Sequence, residues 1–449
     1  MRGMTISRAA AVCGGRLCGE GDFGAELGSV VIDSRAVSAG DFFVAYKGER
    51  VDGHDYISAA FDRGAVCFLA QRVPEGETRP ILLVPDVQTA LEQICAEYRR
   101  DLRLPVIGIT GSVGKTSAKE MISAVLSQRL NVLKTDKNLN NQIGVPMTIS
   151  RIRPEHQAAV VEMGISGFGE MSVLAKIARP DMAVFTLIGH AHLEFLHDLD
   201  GVLRAKTEML DFMADDAPVL INGDDEKLRG LQCRQKKISF GLGENCDVRA
   251  ENIRLGESGE TFCDIVYGER RIPVEIRAYG RHMIYAALEG AAVGLLMGLS
   301  DGEIVKGVAS FETVGRRAAV CDTGFITLID DSYNANPDSV KCGIDSLMKM
   351  PGRHVCILGD MLELGEGSGE MHFDVGRYAG EKGAELVLTS GPLSKETCRG
   401  AGERGRHFAT REELIAALPG LIQKGDRVLV KASLGSRFDQ ISEALKELK

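Results

Sequence analysis

Residues 106–117 read Val-Ile-Gly-Ile-Thr-Gly-Ser-Val-Gly-Lys-Thr-Ser. An apolar run of β type leads into Thr110-Gly111-Ser112-Val113-Gly114-Lys115-Thr116, and a helix-forming stretch with Met121, Ile122, Val125, Leu126 and Leu130 follows. Strand, glycine turn and helix N-terminus aim backbone N–H groups and a helix dipole at one spot, where Lys115 adds a positive charge and the Thr116 hydroxyl is placed to ligate Mg²⁺. Such a spot suits the phosphates of a nucleoside triphosphate. The usual pattern has glycine where this chain has Ile109, so the motif is a shortened Thr-Gly-x-x-Gly-Lys-Thr.

Functional residues of an open α/β sheet gather at the carboxyl ends of its strands. Val160-Val161-Glu162-Met163-Gly164 puts a carboxylate at such an end, where it can hold Mg²⁺ beside the P-loop; standing alone it would read as a solvated glutamate. Ile188-Gly189-His190-Ala191-His192 follows the next strand, and in extended backbone its two histidines face opposite ways, so one at most points into a site. Lys206, in Arg204-Ala205-Lys206-Thr207-Glu208, falls in a helical pattern, where a lysine reads first as part of a solvated face. Two further loops are rich in hydrogen-bonding groups. Asp330-Asp331-Ser332-Tyr333-Asn334-Ala335-Asn336-Pro337 could be an Asx-rich turn before proline, and Gly359-Asp360-Met361-Leu362-Glu363-Leu364-Gly365 follows the next strand at the same edge. Two such loops side by side favour a ligand.

The elements that position these groups repeat as strand, loop and helix over much of the chain, predicting an α/β fold. At 449 residues the chain fits three domains. Residues 1–103 read as a small α/β domain, with strands near 30–32, 42–44, 66–69 and 81–84 and a helix over 91–100. Residues 104–313 read as a mostly parallel sheet, with strands at 106–110, 158–162, 182–187 and 218–221. Period-two alternation over 236–277 predicts a small antiparallel insertion or edge sheet inside it. Residues 314–449, with strands at 325–329, 354–358, 385–389 and 427–431, read as a Rossmann-like doubly wound domain.

A net charge of −10 without a basic block gives no support for nucleic-acid binding. Eleven cysteines, scattered without CxxC spacing, read as reduced thiols of a cytoplasmic protein. The N-terminus lacks the apolar run of a signal peptide and predicts an opening helix. The apolar stretch 286–299, interrupted by Glu289, predicts a buried helix and no membrane span.

Together these motifs resemble the Mur ligase family, ATP-dependent amide-forming enzymes of peptidoglycan precursor synthesis, and within it the MurF type; the resemblance covers nearly the whole chain. Asp33-Ser34-Arg35, Gly40 to Ala45 and Asp52-Gly53-His54 resemble the family's N-terminal domain, which holds the UDP part of the substrate. Asn138-Leu139-Asn140-Asn141-Gln142-Ile143-Gly144-Val145-Pro146 resembles its asparagine-rich segment, and Asp331 to Pro337 the MurF form of its third-domain loop. The resemblance implies that Thr116 and Glu162 hold one Mg²⁺, and that His192 and Lys206 serve a second, the lysine as a carbamate. It implies ATP contacts from Thr110 to Thr116, His282, Arg316 and Asp331, and substrate contacts from Ser34, Arg35, Asn138, Asn141, Tyr333, Asn334, Asn336 and Lys431. Lys115, Glu162, His192 and Lys206 would carry the catalysis. A carbamate needs the neutral amine, roughly one lysine in a few thousand at pH 7, so burial or cationic neighbours must raise that fraction.

The implied reaction joins D-alanyl-D-alanine to UDP-N-acetylmuramoyl-tripeptide through an acyl phosphate, in the cytoplasm, by a monomer. A sister ligase, a folylpolyglutamate-type ligase and a P-loop switch are the alternatives. The chain departs from the family at three places. Its Gly-x-His-Asn-x-x-Asn pattern, whose asparagines lie near adenine, reads Gly280-Arg281-His282-Met283-Ile284-Tyr285-Ala286. Thr-Asn-Ile-Gly reads Thr186-Leu187-Ile188-Gly189, and Lys-Gly-Ser-Arg reads Lys431-Ala432-Ser433-Leu434, with Arg437 a nearby alternative to the lost arginine.

Overall fold

Alternating apolar strands and amphipathic helices produce three sheets, of five, nine and six strands. The computed structural model describes residues 1–256, 260–278, 280, 282–313 and 315–449; Arg281 of the sequence motif, Val314 at the expected boundary and residues 257–259 of the 236–277 pattern lie outside the described residues.

The N-terminal sheet runs Arg16–Cys18, Ile81–Leu83, Cys67–Ala70, Phe42–Val44, Val30–Val31, parallel except at the Arg16–Cys18 edge. Helix Val87–Asp101 starts at Asp86, whose carboxylate accepts from the Thr89 N–H, and buries Val87, Leu91, Ile94 and Tyr98 on one face. That face joins the next unit: Tyr98 donates its hydroxyl to the Ile152 carbonyl at 2.6 Å, and Arg99 donates to the Ala178 carbonyl at 2.8 Å and to Asp181 at 2.7 Å. One apolar core extends from Met4 and Leu91 to Met163, Leu174 and Phe185, so the N-terminal sheet shares its interior with one face of the central sheet.

The central sheet runs Arg270–Ile276, Thr261–Tyr267, Val248–Leu255, Lys236–Gly241, Pro218–Asn222, Met182–Phe185, Val106–Thr110, Ala158–Glu162, Val132–Lys134. Pairing is parallel from Val132–Lys134 as far as Val248–Leu255, and Thr261–Tyr267 and Arg270–Ile276 add an antiparallel edge. The alternating segment 236–277 is therefore an extension of the main sheet rather than a separate insertion. Its inward residues Ile238, Phe240, Val248 and Ile265 meet the same core as the P-loop helix Lys115–Leu126 and the helix His282–Leu296. Those two helices pack closely: a Cβ at Gly290 would lie 2.9 Å from the Met121 side chain, and one at Gly294 2.8 Å from that of Val125.

The C-terminal sheet runs Ala319–Asp322, Thr327–Asp331, Arg427–Lys431, His354–Gly359, Leu386–Ser390, Gly405–Phe408, parallel but for its Ala319–Asp322 edge. Val340, Ile344 and Val375 cover one face and Leu414, Leu418 and Ile441 the other, which is the doubly wound arrangement. The strand expected at 325–329 is Thr327–Asp331, so Asp330 and Asp331 end a strand instead of opening a loop. The strands Arg16–Cys18, Val132–Lys134, Ala319–Asp322 and Gly405–Phe408 have no counterpart in the sequence reading; each is short and lies at the edge of its sheet, where side chains are half exposed and alternation is weak.

Candidate active site: a cleft between the central and C-terminal sheets

Val106–Thr110 lies between Ala158–Glu162 and Met182–Phe185, so three strand ends converge where the chain turns into helix Lys115–Leu126. Gly111 (φ 153°) and Gly114 (φ 90°) make the turn, and a Cβ on Gly111 would lie 2.0 Å from Thr186 Oγ1. Thr186 donates its hydroxyl to the Val113 carbonyl, the Ser112 N–H donates to the Leu187 carbonyl at 2.7 Å, and Ser112 Oγ donates to the Gly189 carbonyl at 3.0 Å. These bonds take Thr186 and Leu187 out of the strand expected through 187. The loop is thus fastened from behind, and the helix offers its first-turn N–H groups to the cleft. Ile109 is still a fully buried strand residue, since the turn starts only at Gly111. Lys115 Nζ donates to the Gly111 carbonyl at 2.6 Å. Burial pushes its pKa below the usual lysine value, with Glu162 opposing and Arg317 reinforcing.

Glu162 is 1 % exposed at the end of its strand. Thr116 Oγ1 donates to its two oxygens at 3.0 and 3.2 Å, Asn140 Nδ2 donates at 2.8 Å, and Lys119 Nζ stands 3.7 Å away. A hydroxyl and a carboxylate side by side beneath the P-loop supply two oxygen ligands, and Mg²⁺ characteristically completes its octahedron with phosphate oxygens and water. The donor set fits that ion. Among the described residues no group of three or more His, Cys, Asp or Glu side chains could hold a metal through protein ligands alone.

His192 has left-handed backbone (φ 57°) at the start of helix Leu193–Leu196, and its Nδ1 meets Glu363 Oε2 at 2.5 Å. With Nδ1 committed, Nε2 is the nitrogen left for the cleft. Burial lowers the His192 pKa, Glu363 opposing. His190 turns elsewhere: its N–H donates to Asp338 at 2.7 Å and its Nδ1 lies 3.0 Å from the same oxygen. Lys206, on helix Leu199–Thr207, is 1 % exposed, which corrects its reading as a solvated face residue. The helix turns that face inward, toward Lys115 and His192. Burial pushes the Lys206 pKa well below the usual value, and Lys115 adds to the push, so both effects favour the neutral amine.

Across the cleft, Lys431 donates from Nζ to Asp331 at 2.5 Å and to the Asn334 carbonyl at 2.9 Å, tying the loop 331–337 to the neighbouring strand. Asn336 caps helix Pro337–Leu347, its side chain accepting from the Ser339 N–H at 2.8 Å. The Arg317 guanidinium lies 3.9 Å over the Tyr333 ring.

The cleft holds about 1640 Å³, and of the residues expected in the site Ser112 to Thr116, Asn138, Asn141, Glu162, His192, His282, Asp331, Tyr333, Asn334, Asn336 and Lys431 line it. Thr110, Gly111 and Lys206 are not on its surface. Ser34 and Arg35 sit apart on an N-terminal turn, where the exposed Arg35 guanidinium pairs with Asp33 at 2.8 Å. Arg316, expected to reach ATP, pairs instead with Asp439 at 3.1 Å, and it is Arg317 that lines the cleft. Arg437 pairs with Asp439 at 3.3 Å, while Leu434 borders the cleft. Asn140, Lys119, Arg317 and Glu363 were not singled out from sequence. Asn140 stands inside the asparagine run, Lys119 follows Lys115 and Thr116 at helical spacing on the face toward Glu162, and Glu363 lies in the loop 359–365 that the sequence marks for a ligand; Arg317 carries no pattern.

Three family models match the chain: "Mur ligase family, catalytic domain" over residues 26–99, "Mur ligase middle domain" over 109–294, and "Mur ligase, glutamate ligase domain" over 315–434. The chain is 35% identical over 454 residues to the UDP-N-acetylmuramoyl-tripeptide--D-alanyl-D-alanine ligase of Escherichia coli (strain K12), covering 100% of this chain and 99% of that one. Among solved structures it is similar to MurF from Acinetobacter baumannii, with TM-score 0.90 and 29% identity over 99% of both chains. It is also similar to MurF ligase from Thermotoga maritima in complex with ADP, with TM-score 0.83 and 28% identity over 94% of this chain and 97% of that one. Glycine turn, strand-end carboxylate and facing asparagine loop thus lie in a chain matched from end to end, and the chain belongs to the Mur ligase family.

Proposed function

We propose that the protein is an ATP-dependent ligase that joins D-alanyl-D-alanine to the free carboxylate of UDP-N-acetylmuramoyl-tripeptide, releasing ADP and phosphate, in peptidoglycan precursor synthesis. The observation that carries this reading is one cleft with the P-loop and Glu162 on one wall and the Tyr333–Asn336 loop on the other. A carboxylate is a poor acylating agent, so one of its oxygens first attacks the γ-phosphorus of ATP and ADP leaves. The dipeptide amine then attacks the acyl carbon, phosphate departs, and the amine gives up a proton. An α-amino pKa of about 8 leaves enough neutral amine at neutral pH to act without a strong base.

In this reading Lys115 and the first-turn N–H groups hold the transferred phosphoryl charge, and closure of the cleft over the bound substrates keeps water from the acyl phosphate. Thr116 and Glu162 would hold one Mg²⁺, and His192 with carbamylated Lys206 a second; the ions would neutralise the charges brought together. Residues 1–103, 104–313 and 314–449 divide the work, the first holding the UDP part through the turn at Ser34 and Arg35. Gln88 of that first part reaches the cleft, held by the Tyr46 hydroxyl at 2.7 Å. A cleft formed by one chain supports a monomer as the working unit, and the free cysteines support a cytoplasmic setting. No described helix is long and apolar enough to cross a membrane.

A phosphate-release assay with ATP, D-alanyl-D-alanine and UDP-N-acetylmuramoyl-tripeptide, each omitted in turn, tests the reading. Sustained release is expected only with all three. Release independent of both acceptor and amine would replace the ligase with a nucleotide-driven switch.

A further inference from the structure

Along helix His282–Leu296, the residues His282, Tyr285, Ala286 and Glu289 form one strip of the cleft wall at helical spacing. The helix is packed against the P-loop helix, so this strip flanks the phosphate site and bounds the room left for the nucleoside. Most polar side chains at this end are used by the fold. Asn222 donates to the Thr186 carbonyl at 3.0 Å and accepts from the Asp224 N–H at 3.0 Å. Asp224 accepts from the Leu242 N–H at 2.6 Å, the Gly243 N–H at 3.0 Å and the Tyr285 hydroxyl at 2.9 Å. Asp225 accepts from the N–H groups of Ile188 at 2.6 Å and Leu228 at 3.0 Å.

Glu289 differs from all of these. The residue is 2 % exposed, borders the cleft, and has no hydrogen bond or ion pair among the described residues. Met283 and Ala286, up to two turns before it, bring no hydrogen-bonding side chain. A carboxyl buried this deeply without a partner is unfavourable unless something that enters the cleft supplies one.

We propose that Glu289 reads the base of the nucleotide, its carboxyl pairing with the exocyclic amine and adjacent ring nitrogen of a 6-aminopurine. The inference rests on ATP as the nucleotide of the P-loop. Burial with no cation to offset it raises the Glu289 pKa well above the usual value, favouring the neutral carboxyl. A neutral carboxyl presents one acceptor beside one donor, the complement of an amine beside a ring nitrogen.

The test is equilibrium binding of ADP and of purine riboside 5′-diphosphate, which lacks the amine, to the wild-type protein, Glu289→Ala and Glu289→Gln. Wild type is expected to favour ADP by about tenfold, Glu289→Ala to lose the preference to within about twofold, and Glu289→Gln to keep it, because an amide offers the same acceptor and donor. An unchanged preference in Glu289→Ala, or none in wild type, overturns the proposal. If Glu289→Ala binds neither ligand, Glu289→Gln decides: a retained preference supports the proposal and a lost one overturns it. Wild type that binds neither ligand overturns the ATP reading itself, a different failure from ADP bound without discrimination.

Discussion

On the P-loop wall, Ser112, Thr116 and Glu162 are fixed by bonds to one another's strands and strand ends within their own sheet, beneath a core shared with the N-terminal unit. On the facing wall, Asp331, Asn334 and Lys431 are fixed to one another, above cores belonging to the C-terminal sheet alone. Across the cleft the Glu194 N–H donates to the Glu363 carbonyl at 3.3 Å, and two side-chain pairs, His192–Glu363 (27% and 47% exposed) and His190–Asp338 (40% and 32% exposed), join the walls. Exposed pairs of this kind contribute about 0–1 kcal/mol each. The difference teaches a division of labour: each wall is built in advance, while the two walls meet lightly enough for substrates to set their spacing.

If the P-loop wall is the fixed part of the chemistry, Lys115→Ala removes the charge proposed to meet the transferred phosphoryl group. Turnover is expected to fall about a thousandfold or more, measured as phosphate release with both substrates present. Near-normal turnover would break the comparison at its stronger side.

Lys206 sharpens it next, because it supports the same wall from behind. Lys206→Ala is expected to lose about a hundredfold, and Lys206→Arg to do no better, since a guanidinium cannot become the neutral amine that carbamylation needs. NMR with isotopically labelled bicarbonate should show a carbamate carbon in wild type and none in either variant. Full activity of Lys206→Ala without bicarbonate would remove the carbamate from the mechanism.

Glu363 orients His192 from across the cleft, so Glu363→Gln probes the light contact between the walls. The expected loss is about tenfold in kcat with KM for ATP within about twofold; an effect confined to KM would instead make Glu363 part of the nucleotide site. The smallest change belongs to Asp338→Asn, which weakens the contact with His190. Activity should stay within about threefold of wild type, measured as phosphate release with both substrates present. A loss as large as that of Lys115→Ala would mean that the walls are joined no more loosely than each is built.

The same contrast governs how far the sequence could be read. The P-loop was legible because backbone makes it: strand, glycines and helix are consecutive, and Glu162 stands at the end of the strand paired beside it. Most strands and the doubly wound third sheet were legible from apolar runs in register with helices, and the short edge strands, half exposed, were not. Lys206 looked like a surface lysine because helical spacing shows a face without showing what covers it. Arg316 and Arg317 are adjacent in an irregular stretch with no periodicity to say which turns inward, and the one pairs with Asp439 while the other stacks on Tyr333. Glu363 depends on a partner 171 positions away in the chain, a relation that neighbouring residues do not encode.

The central claim is that the tripeptide carboxylate takes the γ-phosphoryl group before the amide forms. Labelling that carboxylate with heavy oxygen and analysing the released phosphate tests it directly. An acyl phosphate requires one labelled oxygen in each phosphate released during amide synthesis. Unlabelled phosphate, formed together with amide product, would contradict it.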